Sequence, residues 1–298
     1  MKKILLYTFF LTAVMAGFTS CSEDSLSETS VITGKNAREN AFDKWLKTNY
    51  VIPYNIEVQY RYDDNESDMQ YYDIPANIEQ SIEMAHIVKY TCAEAYDRVG
   101  GIEFTRKYFP KLFTYYGEFE YDNNGTMKLG TAEGGKKIRL LGINLLDKYI
   151  NNLEYLNELY LKTIHHEFVH IVNQTKDYPR EFDKVTPGYV NDTWSSTTYG
   201  TGYLKRGFIT AYSQKEARED FAEMVSTYVI TSKEDWNALM KEAGTTGSEL
   251  ITKKLDYCKR YYKETFKIDL DALRDEVVRR ENDVINGLVD LKDLTVTE

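Results

Sequence analysis

The sequence predicts an α+β fold in which a small mixed sheet precedes a histidine-rich helix, and a helical C-terminal section follows. Short segments of alternating apolar and polar residues, separated by Asn-Gly and Gly-Gly turns, indicate strands in the first half of the chain. From about residue 150 onward the apolar residues return at helical spacing instead. A chain of 298 residues is long enough to bury a substantial core.

Four segments are predicted to form the strands. The first, 52–62, has apolar side chains at every second position from Ile56 to Tyr62. The other three lie close together in sequence and are separated by the Asn-Gly at 124–125 and the Gly-Gly at 134–135. These three strands are predicted over 112–121, 126–131 and 136–143.

Helices are predicted on both sides of the strands. Apolar residues return at helical spacing over 76–99, and Gly100-Gly101 follows as a stop signal. His86 lies beside that apolar stripe, where a single histidine is expected to be structural. A second helix, 152–173, follows the strands directly. The C-terminal section is predicted to contribute three more helices, at 235–242, 249–266 and 270–288.

Residues 1–20 are expected to be a lipoprotein signal peptide. Lys2 and Lys3 form a basic start, and the apolar run 4–18 is short for a membrane span. The run ends in Phe-Thr-Ser-Cys at Cys21, which resembles a bacterial lipobox, although Phe and Ser replace its usual Leu and its usual Gly or Ala. The resemblance implies that Cys21 becomes a lipidated N-terminus, which holds the protein on a membrane. The alternative is a cleaved signal that leaves Cys21 as a free thiol.

Residues 21–36 are rich in Ser, Thr, Glu and Gly and are predicted to form a flexible tether to a single domain at 37–298. Ser22-Glu23-Asp24 resembles the acidic export signal of surface-displayed lipoproteins. This implies attachment to the bacterial outer membrane, with the domain exposed at the cell surface. The alternative is an ordinary acidic linker on a protein that faces the periplasm.

The charge balance is acidic. The whole chain has a net charge of −10, and removing Lys2 and Lys3 from its 37 basic residues leaves 35 against 47 acidic ones. An acidic surface argues against nucleic acid as a partner. Cys92 and Cys258 lie at apolar positions of predicted helices, which indicates either buried free thiols or, in an exported protein, a disulfide.

Three of the four histidines fall within the segment His165-His166-Glu167-Phe168-Val169-His170. Residues four apart in a helix share a face, so His166 and His170 can direct two imidazoles at one Zn²⁺. Glu167 then lies close enough to reach a metal-bound water without being a ligand. The spacing therefore predicts a zinc site with His166 and His170 as ligands and Glu167 as the catalytic base.

A catalytic zinc site needs a third protein ligand and an open position for water. No histidine occurs after His170, and Asn173 and Lys176 occupy the positions of the Gly and the third His of the metzincin pattern. A carboxylate is therefore expected as the third ligand, with Cys258 as the other candidate.

The segment 212–223 is the best source of that carboxylate. Ser213 and Glu216 have the spacing of a capping box, which predicts a helix start there. Glu219, inside the helix, is favoured as the ligand. Glu223, one turn later, is placed to accept a hydrogen bond from a ligand imidazole. The alternatives for the ligand itself are Asp220, Glu216 and Glu223.

A His-Glu-x-x-His motif followed by Glu-x-x-x-(Asp/Glu) on a later helix resembles the gluzincin group of zinc metallopeptidases. Tyr212, seven residues before the run that begins at Glu219, makes the segment similar to the catalytic domain of anthrax lethal factor. The resemblance implies a zincin-like domain in which Glu219 binds zinc and the phenol of Tyr212 assists the reaction. Val169 replaces a Gly of that motif at a position that binds no metal.

The motif match spans roughly residues 155–230. Together with the lipoprotein start, it makes the chain resemble the zinc-binding metallopeptidase lipoproteins of gut and oral Gram-negative bacteria. The resemblance implies a hydrolase with one Zn²⁺ per chain that cleaves extracellular peptides or proteins. We expect the strand 136–143 to bind an extended peptide by strand addition, and the stretch 173–209 to shape the cleft. The alternatives are a surface-anchored binding lipoprotein with a structural or vestigial zinc, and hydrolysis of a non-peptide amide.

Overall fold

The computed structural model describes residues 39–63, 70–121, 127–128, 130–133 and 136–296. The chain divides into two units, Met1–Glu39 and Asn40–Glu298, and the described residues belong almost entirely to the second. The predicted signal peptide, the tether and Cys21 lie outside the described residues, as do the predicted turns at 124–125 and 134–135.

Six short strands in the described part of the chain form two sheets. They are β1 (Glu57–Gln59), β2 (Leu112–Tyr115), β3 (Glu120–Tyr121), β4 (Met127–Lys128), β5 (Gly130–Glu133) and β6 (Lys137–Leu140). The larger sheet has the order β1-β2-β6-β5, in which the first three strands are parallel and β5 is antiparallel to β6. β3 and β4 form a separate antiparallel pair. The predicted small mixed sheet is therefore confirmed.

The predicted strand 52–62 is wrong in its first half. Ile52–Tyr54 is the last turn of a helical stretch that begins at Ala41 and continues through the π turn Lys47–Val51. Asn55 ends that turn in the left-handed conformation, with φ 53°, which asparagine adopts more readily than most residues. Only Glu57–Gln59 then remains extended, and it pairs in register with β2.

Helices make up most of the remaining chain. They are α1 (Ala41–Leu46), α2 (Ile52–Tyr54), α3 (Ile78–Ile87), α4 (Glu94–Gly100), α5 (Ile102–Tyr108), α6 (Leu146–Tyr149), α7 (Leu153–Leu156), α8 (Lys162–Thr175), α9 (Ala217–Ile230), α10 (Lys233–Tyr261) and α11 (Leu270–Ile285). Among the described residues, no helix has the length and apolar content that crossing a membrane requires.

Within the described ranges, four π-helical turns join or extend these helices, at Lys47–Val51, Val88–Ala93, Asn157–Leu161 and Tyr262–Phe266. The π turns make the predicted helix 76–99 continuous from Ile78 to Gly100, and the predicted helix 152–173 continuous from Leu153 to Thr175. The predicted break between two C-terminal helices is reduced to one residue, Gly244, whose φ is 67°. Cys92 and Cys258 are buried and free, so no disulfide joins them.

An aromatic cluster fixes the rotation of α8 about its own axis. Phe168 is fully buried, and its ring lies 4.8 Å from that of Tyr96 and 5.0 Å from that of Phe109, centroid to centroid. Val169 beside it is also fully buried. Because these two residues of the motif face the core, His166 and His170 are directed away from it, toward α9.

The connection from α8 to α9, residues 176–216, is an irregular segment. It contains four short 3₁₀ turns, at Phe182–Lys184, Asn191–Ser195, Leu204–Arg206 and Tyr212–Gln214. The guanidinium of Arg206 ties it together by donating to Gln214 Oε1 at 2.7 Å and to the carbonyl of Tyr199 at 3.0 Å. Lys254 of α10 donates to the carbonyl of Gly207 at 2.9 Å. These bonds hold an otherwise irregular segment in one path over α9 and α10.

Candidate metal centre

Two packed helices bring three side chains to one point. α8 supplies His166 and His170, and α9 supplies Glu219. Their ligand atoms form a small triangle. Nε2 of His166 lies 3.0 Å from Nε2 of His170 and 3.0 Å from Oε2 of Glu219, and Nε2 of His170 lies 3.3 Å from Oε2 of Glu219. Within the described part of the chain, these are the residues with metal-ligating atoms grouped in this way.

The triangle fits a zinc ion. Ligand atoms about 2.0–2.1 Å from a tetrahedral Zn²⁺ are separated from one another by roughly 3.3 Å. The three measured distances fall close to that value, and three ligands leave one tetrahedral position for water or substrate. The donor set of two imidazoles and one carboxylate is also that of known catalytic zinc sites.

Glu223 lies behind His166. Its Oε1 is 2.8 Å from Nδ1 of His166, although the ring N–H is not aligned well enough for a strong hydrogen bond. Its other oxygen, Oε2, accepts from Lys162 Nζ at 2.7 Å and from Thr210 Oγ1 at 2.6 Å. A carboxylate beside Nδ1 stabilises a proton on that nitrogen, which leaves the Nε2 lone pair for a metal.

The electrostatics favour positive charge at the triangle. Burial lowers the pKa of His166, but the carboxylates of Glu219 and Glu223 outweigh burial and raise that pKa to about 10. Burial likewise raises the pKa of Glu219, but its bonds to His166 and His170 hold it well below the usual value. Two ionised carboxylates around these imidazoles favour a bound cation, and a divalent metal competes with protons for the same nitrogens.

Glu167 and Tyr212 lie beside the triangle. Glu167 is half-buried, and its charge helps to raise the pKa of both His166 and Tyr212. The ring of Tyr212 lies 6.0 Å from that of His166, and the edge of Trp194 packs on it at 5.0 Å, centroid to centroid. Burial, followed by the nearby carboxylate of Glu219, raises the pKa of Tyr212 far above its usual value. The phenol is therefore a hydrogen-bond donor at neutral pH.

The predicted capping box at Ser213 and Glu216 is wrong. The box lies three residues earlier, where Thr210 Oγ1 accepts from the backbone N–H of Ser213 at 3.1 Å and Ser213 Oγ accepts from the N–H of Thr210 at 3.3 Å. This pair of bonds lies at the 3₁₀ turn Tyr212–Gln214, ahead of the start of α9 at Ala217. Glu216 is the N-cap residue of α9 and makes no capping bond with its side chain.

The alternative ligand Asp220 lies elsewhere. It is fully buried, and its Oδ2 accepts from Lys254 Nζ at 2.5 Å and from the hydroxyl of Tyr189 at 3.0 Å. Residues one apart on a helix project about 100° apart, so Asp220 faces α10 while Glu219 faces α8. Of the four carboxylates considered from sequence, only Glu219 joins the two histidines in the described group.

The two remaining histidines lie apart from this group. His165 is fully buried, with Nδ1 3.1 Å from the hydroxyl of Tyr96, and burial lowers its pKa to about 3. His86 stacks on Trp45 with ring centroids 4.0 Å apart, and both of its ring nitrogens lie 2.9 Å from backbone carbonyl oxygens. Both histidines are thus held within the packing of the core.

Lys162 and Thr210, which donate hydrogen bonds to Glu223, were not predicted from the sequence. Lys162 lies one turn before His166 on the same helix, so its spacing is a weak signal that it can reach a carboxylate near that histidine. Thr210 gives no comparable signal, because its position depends on the path of the irregular segment before α9.

A helix-borne His-Glu-x-x-His motif completed by a carboxylate of a second helix is typical of zinc-dependent metallopeptidases. The chain belongs to the family described as "putative zinc-binding metallo-peptidase", whose model matches residues 35–271. A crystal structure of a putative zinc-binding metallo-peptidase from Bacteroides caccae is similar, with a TM-score of 0.74 and 37% sequence identity. That similarity covers 86% of this chain and 96% of the other. No curated protein matches the chain with significance.

Proposed function

We propose that this protein is a zinc-dependent peptidase that holds one Zn²⁺ between His166, His170 and Glu219. The observation that supports it best is the triangle of three ligand atoms with a half-buried glutamate, Glu167, directly beside it on the same helix. A structural zinc site has no need of such a glutamate, whereas hydrolysis requires a general base next to the water.

Each residue has a distinct part in this reaction. A Zn²⁺ held by His166, His170 and Glu219 would lower the pKa of a bound water and polarise the substrate carbonyl. Glu167 accepts the proton of the attacking water and delivers it to the amine that leaves when the C–N bond breaks. The hydroxyl of Tyr212 donates a hydrogen bond to the carbonyl oxygen as negative charge develops there. Glu223 keeps His166 in the tautomer whose Nε2 faces the metal.

The expectation that the strand 136–143 accepts a peptide is wrong, because β6 is paired on both sides, with β2 and β5. Among the described strands, β5 is the edge strand of the sheet on that side, and its backbone runs close to α8. An extended peptide that pairs with β5 would therefore lie along the helix that carries the motif. We place the peptide there, with the irregular segment and Trp194 forming the opposite wall of the cleft.

We also propose that a lipid on Cys21 holds the domain at the bacterial outer membrane, facing the outside of the cell. The support is in the sequence: the basic start, the short apolar run and the acidic Ser-Glu-Asp after the cysteine. Extracellular peptides and proteins are then the accessible substrates.

The proposed activity is tested by comparing wild type, Glu167→Ala and the control Glu158→Ala, which changes an exposed glutamate of the π turn before α8. We expect all three proteins to bind one equivalent of zinc. Wild type and the control should cleave members of a peptide library, and Glu167→Ala should lose on the order of 10²–10⁴ in rate. Zinc is measured by metal analysis and cleavage by mass spectrometry.

Zinc content also tests the ligand set. Glu219→Ala should lose zinc at concentrations at which wild type is saturated, and Glu223→Ala should bind it roughly 10–100-fold more weakly. Full occupancy in Glu219→Ala would refute the assignment of the third ligand. Zinc bound by wild type with no cleavage of any peptide would favour a binding lipoprotein with a structural or vestigial metal site.

A further inference from the structure

Lys215 is a cation beside Tyr212 for which neither the metal site nor the fold has an evident use. Its Nζ lies 3.3 Å from the hydroxyl oxygen of Tyr212 and 5.3 Å from the centre of the ring. The ammonium is therefore closer to the hydroxyl group than to the ring. The side chain is half-buried. Among the residues that the structure describes, no carboxylate lies within 4.0 Å of the Lys215 ammonium.

The backbone on both sides of Lys215 is fixed. Its N–H donates to the carbonyl of Tyr212 at 3.0 Å, and its own carbonyl accepts from the N–H of Asn191 at 3.0 Å. The preceding carbonyl, of Gln214, accepts from the N–H of Val190 at 2.8 Å. Lys215 therefore directly follows the 3₁₀ turn that carries Tyr212, and these bonds fix the backbone from which its side chain reaches the hydroxyl.

Donor and acceptor chemistry gives the contact a direction. An ammonium has only donors, whereas a phenol has one O–H donor and an oxygen that accepts. In the contact between them Lys215 must donate and Tyr212 must accept. The phenolic hydrogen is then left to point away from Lys215, where it is available to another acceptor.

We propose that Lys215 is a positioning residue for the peptidase reaction: it directs the hydroxyl hydrogen of Tyr212 toward the substrate carbonyl and places a positive charge behind the oxyanion that forms there. This inference rests on the proposed function. A phenol already oriented as a donor loses less free energy to reorganisation in the transition state, and a nearby cation strengthens its hydrogen bond to an anion.

The surroundings make this positive charge useful. The carboxylates of Glu219, Glu223, Glu167 and Glu216 all act on the phenol of Tyr212. Their negative charge opposes the formation of an oxyanion next to that phenol. Lys215 offsets part of this field from the side of the Tyr212 hydroxyl, 3.3 Å from its oxygen.

The test is a double-mutant cycle with Lys215→Met, Tyr212→Phe and the double variant, together with Lys215→Arg. Lys205→Met is the matched control, because Lys205 is exposed and lies in the same irregular segment. Three quantities are measured for each zinc-loaded protein: cleavage of a fluorogenic peptide, affinity for a phosphinic peptide that mimics the tetrahedral oxyanion, and zinc content.

We expect Lys215→Met to lower kcat about tenfold with little change in KM, since it acts on a hydrogen bond that matters most in the transition state. Phosphinic peptide affinity should fall by a similar factor, while zinc content stays at the wild-type level. When Tyr212 is already replaced by Phe, Lys215→Met should lower kcat and phosphinic peptide affinity hardly further. Lys215→Arg, which keeps the positive charge, should retain most of the wild-type kcat and affinity.

Two outcomes would overturn the inference. One is an equal loss from Lys215→Met with and without the Tyr212 hydroxyl, which would mean that lysine acts independently of the phenol. The other is no loss of phosphinic peptide affinity. If wild type binds zinc and the phosphinic peptide but cleaves nothing, the proposed peptidase activity fails, and the binding cycle still decides the role of Lys215.

Discussion

Glu281 is a carboxyl with almost no partner in the interior of the protein. It is fully buried on α11, and the amide of Asn157 is 3.4 Å from its Oε2. Its other oxygen makes no hydrogen bond. Burial raises the pKa of Glu281 well above its usual value, and the bond from Asn157 offsets this only in part. The group is therefore neutral in the folded protein at pH values where it is ionised in the unfolded chain.

This difference predicts a stability that falls as the pH rises. Between the unfolded pKa of about 4.3 and the raised folded pKa, the folded state binds more protons than the unfolded state. Glu281→Gln removes this proton uptake. The free energy of unfolding of the variant, relative to that of wild type, should therefore rise by up to about 1.4 kcal/mol per pH unit above pH 4.3. Urea unfolding at pH 4, 6 and 8 measures the difference.

The exposed Glu242→Gln substitution on α10 is the control for that experiment and should leave the pH dependence of stability unchanged. A constant difference between Glu281→Gln and wild type across the pH range would show that Glu281 keeps its charge in the fold.

Individual site residues differ in how far the sequence predicted their location. His166, Glu167 and His170 lie within one and a half turns of a single helix, so their relative position follows from helix geometry alone. Glu219 required the additional step that a second helix packs against the first. Lys215 and Thr210 were not recognised, because their contacts depend on irregular backbone whose path no periodic pattern encodes.

At the scale of elements, Gly247 decides how closely α10 approaches the irregular segment. A Cβ on Gly247 would lie 2.3 Å from the carbonyl oxygen of Leu204 and 3.0 Å from the Cα of Lys205. Both are backbone atoms, so no side chain can move aside. The glycine allows α10 to pack directly on the turn that leads to Thr210 and Tyr212.

Gly247→Ala should therefore destabilise the protein. The better helix propensity of alanine contributes about 1 kcal/mol in its favour, but a backbone overlap of this size outweighs that gain and leaves a net loss of roughly 1–3 kcal/mol. Gly188→Ala is the matched control, because nothing lies within 4 Å of a Cβ there. Urea unfolding measures both variants, and a Gly247→Ala variant as stable as wild type would contradict this account.

The elements that carry the site were predicted better than the elements around it. The apolar periodicity of 76–99 and 152–173 held across π turns, because such a turn adds a residue without ending the helix. The strand predicted at 52–62 was wrong in its first half, where the helical stretch from Ala41 continues to Tyr54 and Asn55 ends it in the left-handed conformation. Short strands gave the weakest prediction, since a few alternating residues do not specify where pairing stops.

At the scale of the whole molecule, the proposed anchor sets where the activity is found. Cys21→Ser should abolish labelling of the protein by a radioactive fatty acid and release it from the membrane fraction. Digestion of intact cells with an added protease then distinguishes an outward-facing domain, which is degraded, from one that faces the periplasm. Unlabelled wild type, or a Cys21→Ser variant that is still labelled, would exclude lipid attachment at this residue.

The acidic balance of the chain bears on which substrates approach it. A net charge of −10 repels other acidic proteins at long range and attracts basic ones, an effect that falls with salt. The electrostatic field of this net charge affects the rate at which other proteins associate with the chain more than the affinity with which they bind. In the proposed reaction, the choice of peptide would then depend on contacts with the residues that line the cleft near Tyr212 and Trp194.

The edge contact between Trp194 and Tyr212 has a practical consequence for studying this protein. Trp45 and Trp236 are buried, whereas Trp194 is half-exposed and lies next to the ring that borders His166. Indole fluorescence responds to the polarity of its surroundings, so a change in emission on adding zinc or peptide would originate mainly at Trp194. The chain thus contains its own optical reporter, and the order in which metal and peptide arrive can be followed in real time without an added dye.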